Sequence, residues 1–170
     1  MVTQATASSK VRLAGFARIA GVAAAVLVLD QLTKHFVRSG IGPGGTHRFL
    51  PGVKLVHVRN TGVAFSLFSG GGPLLLVFTF VALAVLVGYF ALRPRRRWLW
   101  LPTGLLIGGA IGNLIDRVAH GAVTDFIKLP LWPAFNVADM AITFGVVILL
   151  FVVERANGRD GYPDGAAGEA

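Results

Sequence analysis

The 170-residue chain is 54% hydrophobic and only 14% charged, has a positive mean hydropathy and carries a net charge of +8. That balance excludes an ordinary soluble domain and makes a bilayer the expected solvent. Cysteine is absent, which removes disulfides, thiol nucleophiles and Cys-ligated metals. The basic excess shows no aromatic-interleaved patch, so it reads as membrane orientation and anionic-lipid contact, with no nucleic acid as partner.

A spanning helix needs roughly 20 mainly apolar residues, and four windows meet that length: about 16–37, 70–92, 98–115 and 135–153. The expected fold is an all-α membrane protein of four transmembrane helices. The first window follows Lys10, Arg12 and Arg18 in the layout of a secretory signal peptide. Cleavage would leave an odd number of spans, so an uncleaved signal anchor is expected. Residues 1–15 then form a cytoplasmic arm, the first ten without fixed structure. Eleven residues separate Arg18 from Asp30, too few to span. The helix must therefore carry Asp30 into the membrane or its interface. Lys34, four residues on, pairs with it on one face, its amine snorkelling outward.

A long outer loop of about 38–69 follows. In "GVKLVHVRNTGVAFSLF", Val53, Leu55 and His57 alternate with Lys54, Val56 and Val58, the period of a half-buried strand, and Gly62 is a turn signal. A small extracytoplasmic sheet made by this loop is expected at the membrane surface. The second window has no charge between Arg59 and Arg93 and reads as a helix without chemistry. The third carries Gly104, Gly108 and Gly112, a ridge for close helix approach, and ends in Asn113, Asp116 and Arg117, which read as a cap and a pair to a neighbour.

In "GAVTDFIKLP" the apolar Val123, Phe126, Ile127 and Leu129 pull the chain back against the membrane and bring Asp125 to the start of the fourth helix. There Asn136 and Asp139 fit a capping arrangement. Only fourteen residues separate Asp139 from Glu154, so this helix also takes an aspartate to the interface. Residues 16–155 make one membrane domain and 156–170 a disordered cytoplasmic tail. Basic residues at the N-terminal arm, at Arg93, Arg95, Arg96 and Arg97, and at Arg155 and Arg159 mark the cytoplasmic side.

Asp30 with Lys34, Asn113 with Asp116, and Asn136 with Asp139 all fall in the outer leaflet. Intramembrane ionisable groups are costly and mark function, so one site at the outer surface is expected. A transporter or channel would need polar groups at several depths, whereas the inner halves offer only Thr79, Thr103 and Thr143. A structural subunit accounts for the glycines and caps but not for Asp125. Two carboxylates in one poorly hydrated place share a proton, which is the equipment of an aspartic protease. It needs no metal or cofactor. HExxH and GxSxG are missing, and His35, His47, His57 and His120 have no ligand spacing.

"DQLTK" (30–34), "NTGVAFS" (60–66), "GGAIGNLIDRVAHGAVTDFI" (108–127) and "FNVADMAI" (135–142) resemble the ordered motifs of the bacterial lipoprotein signal peptidase family, signal peptidase II, over about residues 16–155. The resemblance implies a four-helix enzyme of the bacterial inner membrane. It would remove the signal peptide of diacylglyceryl-modified prolipoproteins just before the lipidated cysteine. By motif match the catalytic dyad is Asp125 and Asp139, supported by Asp30, Lys34, Asn60, Asn113, Arg117 and Asn136. It also implies that the first outer loop folds back as a cradle for an extended substrate.

Overall fold

The computed structural model describes residues 2–61 and 98–160, with Val81, Ala84 and Gly88, and their side chains between 13 and 155. The second apolar window, the arginine-rich turn after it, Gly62 and the rest of "NTGVAFS" past Thr61 lie outside the described residues. The described elements run α1 (Val2–Gly40), β1 (Thr46–Leu50), β2 (Val53–Asn60), α2 (Trp100–His120), β3 (Val123–Lys128) and α3 (Val137–Asp160).

Each of the three described helices is longer than its apolar window. The first reaches back to Val2, through the ten residues read as an arm without fixed structure. Those residues contain neither Pro nor Gly, so nothing in them breaks a helix once a long one propagates. The third window continues to His120 and stops at Gly121, whose φ of 70° gives a left-handed cap, with its N–H donating to the Arg117 carbonyl. The fourth runs to Asp160, into the expected tail.

α1 and α2 lie side by side and parallel, and α3 packs against α2 in the opposite direction. Glycines set the spacing. A Cβ on Gly104 would lie 2.7 Å from Val22, one on Gly108 2.7 Å from the Ala23 carbonyl, and one on Gly109 2.6 Å from the Ala138 carbonyl. α2 is thus pinched between its neighbours, and on both sides an added methyl would meet backbone.

β1, β2 and β3 form an antiparallel sheet in that order. The hairpin turn is Pro51–Gly52, with Gly52 at φ 79°, where proline and glycine each suit the backbone required. The sheet differs from expectation in two ways. Its third strand comes from the segment carrying Asp125, so among the described residues the first outer loop supplies two strands. The alternation of β2 also breaks: Val56 and His57 are both buried, where the pairing with β3 shifts between Leu55 and Val58.

Val37 and Ile41 at the end of α1 pack with Phe126 of β3, flanked by Leu55, Ile127 and Val137. This cluster ties the sheet to one end of the helices. At the other end Ile19 packs on Leu99, and the Arg18 guanidinium lies 5.9 Å from the Trp100 ring. Two described helical segments, Leu13–Gly40 and Val137–Arg155, are long and apolar enough to cross a membrane. Leu29, Leu32 and Phe36 on α1 and Phe144, Leu150 and Phe151 on α3 are exposed, a large apolar surface that suits lipid rather than water.

Candidate active site

The site is built where α1, α2, β3 and the start of α3 meet. Asp30 is fully buried. Its Oδ1 accepts the Ala138 N–H at 2.9 Å, satisfying an orphan donor of the first turn of α3. Its Oδ2 takes the Lys34 ammonium at 2.8 Å. Gly112 makes room for it, since a Cβ there would stand 2.6 Å from Oδ2.

Lys34 does not snorkel. It has no exposed surface, because its Nζ is held by Asp30, by Asn113 Oδ1 at 2.9 Å and by Asp116 Oδ2 at 3.3 Å. Three donors meet three acceptors, the arrangement a buried ammonium requires. Because lysine only donates, Asn113 must present its oxygen to Lys34. Its Nδ2 then faces the other way and donates to Asp139 Oδ1 at 2.8 Å.

Asn136 caps α3. Its Oδ1 accepts the Asp139 N–H at 2.9 Å, while its own N–H donates to Asp139 Oδ2 at 3.2 Å, the reciprocal pairing of a capping box. Its Nδ2 is left to donate to Asp125 Oδ1 at 2.7 Å and to Asn113 Oδ1 at 3.2 Å. Asn60, at the end of β2, donates to Asp125 Oδ2 at 2.9 Å. Arg117 is half-buried, its Nη1 donating to the Asn113 carbonyl at 3.2 Å, and its charge acts on both Asp139 and Asp125. All eight residues singled out in the sequence therefore belong to one network.

Asp125 is 2% exposed, and its pKa is raised from 3.8 to about 6. Burial is the main cause; the Asp139 charge adds to it, and the Asn60 and Asn136 amides and the Lys34 charge oppose it.

Asp116, read from sequence as part of a helix cap, is fully buried and central. It accepts the Thr124 N–H at 2.8 Å and pairs with Lys34 and, at 3.3 Å, with Arg38. Arg38 also donates to Thr124 Oγ1 at 3.2 Å. The residue beside Asp125 is thus clamped from two sides. The sequence signal was the spacing Asp30, Lys34, Arg38, one polar stripe on α1 at every fourth residue. Asp116→Asn keeps one acceptor but loses the charge shared by Lys34 and Arg38, so we expect it to cost about 1.5–3 kcal/mol of stability. A melting temperature equal to that of the wild type would count against this.

A family model described as signal peptidase (SPase) II matches residues 22–154. The chain belongs to the signal peptidase II family. Lipoprotein signal peptidases of Moorella thermoacetica and Gloeobacter violaceus are 41% and 42% identical to it. The first match covers 80% of this chain and 92% of the relative, the second 81% and 82%. A solved structure described as a bacterial membrane enzyme, determined in meso, superposes with a TM-score of 0.71 at 31% identity, covering 78% of this chain and 89% of that one. As a member of the signal peptidase II family the chain is a peptidase and a protein of the bacterial inner membrane.

Proposed function

We propose that this signal peptidase II removes the signal peptide of diacylglyceryl-modified prolipoproteins, cutting just before the lipidated cysteine with Asp125 and Asp139 as its dyad. The observation that carries the reading is Asn136. One residue donates its side-chain N–H to Asp125 and its backbone N–H to Asp139, so two carboxyl groups on different elements are bridged by a single residue. Asn60, Asn113, Arg117, Lys34 and Asp30 orient the pair and its bridge.

In this mechanism Asp139 takes a proton from a water as the water oxygen attacks the scissile carbonyl carbon, and Asp125 passes its proton to the carbonyl oxygen. The resulting diol collapses: the C–N bond breaks, Asp139 gives its proton to the departing amine, and a diol hydroxyl returns one to Asp125. One water is consumed and both side chains are restored.

The four-span plan, with both termini cytoplasmic and the dyad at the outer leaflet, belongs to the same proposal. The parallel run of α1 and α2 supports it, as two spans lie when one more separates them in the chain. The acyl chains of the substrate stay among the lipids beside the helices, and the face of the sheet that carries Asp125 serves as a cradle that holds the peptide extended for attack.

The test is cleavage of a diacylglyceryl-modified prolipoprotein by the detergent-solubilised protein. The expected result is one cut before the modified cysteine, no cut in the unmodified precursor, and none by folded Asp139→Asn. Cleavage that survives in Asp139→Asn would remove it from the dyad.

A further inference from the structure

The register of the sheet sets Arg48 opposite Lys54 and Lys54 opposite Lys128. Directly paired residues share a face, so three cations form one row across all three strands. Like charges placed opposite one another destabilise a sheet. Among the described residues no carboxylate relieves them, because every ion pair there is made by Asp30 or Asp116.

The same three side chains line a groove of about 660 Å³ whose other walls include Phe49, Leu50 and Leu131. The loop after β3 is held in shape: Lys128 Nζ donates to the Trp132 carbonyl at 2.6 Å. It presents Leu131 at φ 59°, a left-handed conformation unfavourable for a branched side chain, completely exposed beside a largely exposed Trp132. Strained backbone that displays an apolar side chain calls for an apolar environment outside the protein.

Alternation along β3 puts Lys128 on the face of Phe126 and Thr124. Phe126 packs on the last turn of α1, and Thr124 takes a hydrogen bond from Arg38 there. The row therefore lies on the side of the sheet that meets the end of α1, and Asp125 is on the opposite face, toward Asn136 at the start of α3.

We propose that Arg48, Lys54 and Lys128 bind the phosphate of an anionic phospholipid, with Leu131 and Trp132 entering the interface beside its acyl chains. The charge calls for an anion, the groove walls for a hydrocarbon tail, and the orientation for a molecule in the plane of the bilayer. The inference rests on the surface placement of the sheet but not on the dyad.

The experiment takes the full chain from vesicles of equal phosphatidylglycerol and phosphatidylcholine and reads the retained lipid by native mass spectrometry. The wild type should keep phosphatidylglycerol in preference. Arg48→Gln with Lys54→Gln should lower that preference roughly 25-fold, at about fivefold per cation, and Lys54→Glu should lower it alone. Peptidase activity in detergent should be unchanged in these variants, which shows that they are folded. An unaltered preference in the double variant would overturn the proposal, as would equal retention of both lipids by the wild type. Displacement by excess inorganic phosphate would reassign the row to a free anion, and a joint loss of preference and detergent activity would make it a support of the fold.

Discussion

Asp125→Asn is expected to cleave nothing and yet to resist unfolding better than the wild type above pH 6. The loss of turnover should be about 10³- to 10⁴-fold, the range for removing a group that moves a proton in the transition state. The gain in stability follows from linkage. Asp125 has a pKa of about 6 in the folded protein against an ordinary 3.8, so between those values the native state binds more protons than the unfolded chain. Its contribution is therefore fully present below about pH 3.8 and lost as pH rises through 6. The loss amounts to about 3 kcal/mol at pH 8. Asparagine has no proton to lose, so the stability gap between variant and wild type should widen by that amount between pH 3.5 and pH 8. Denaturation of both proteins in a mild detergent measures it. The same group should make kcat/KM fall above about pH 6, since in the proposed mechanism Asp125 carries the proton that polarises the carbonyl. A gap that stays constant with pH would mean that Asp125 is not a buried, proton-holding carboxyl.

Lys34→Met should be the most damaging single change to the fold. It removes the cation shared by Asp30 and Asp116, both without exposed surface, and leaves carboxylates buried with too few partners. Breaking a buried pair from one side costs about 3–5 kcal/mol, a large share of a small protein's stability. Activity should fall with it, because Asn113 Oδ1 loses the shorter of the two hydrogen bonds that orient its amide toward Asp139 and keeps only that from Asn136. Adding Asp30→Asn should restore part of the stability, since the isolated charge is then gone, but not the activity. A double variant no more stable than Lys34→Met would mean that Lys34 acts by packing alone.

Much of this site was legible because its residues stand in a chemically improbable place. Asp30, Lys34 and Asp139 interrupt apolar runs too short to span without them, and Asp125 sits in a segment too apolar for a solvated loop. What stayed hidden is what tertiary contact alone decides. β3 gives no alternating signal because Val123, Thr124, Asp125 and Phe126 are all buried, and a strand covered on both faces loses its two-residue period. β2 loses it at Val56 and His57 through the irregular pairing with β3. Asp116 lies near a helix end, where an acidic residue next to an arginine has an ordinary local explanation. Only the fold brings the Thr124 N–H to it. Lys34 was expected to reach for water because nothing in the chain reveals that Asn113 and Asp116 close over it.

Asp30, Asp116, Lys34 and Arg38 contain two negative and two positive charges within one set of contacts, and their sum is zero. Seen from a distance such a group is close to a quadrupole, whose potential dies away faster than that of a single ion. It can be rigid and strongly bonded while imposing only a weak field on the rest of the protein. The proton affinity of Asp125 is then governed mainly by its burial, the two asparagine amides and Asp139, with the Lys34 charge the smallest contribution. Dissolved salt has little to screen in a cluster that presents no net charge, so its hold on Thr124, the residue beside Asp125, should not change with ionic strength.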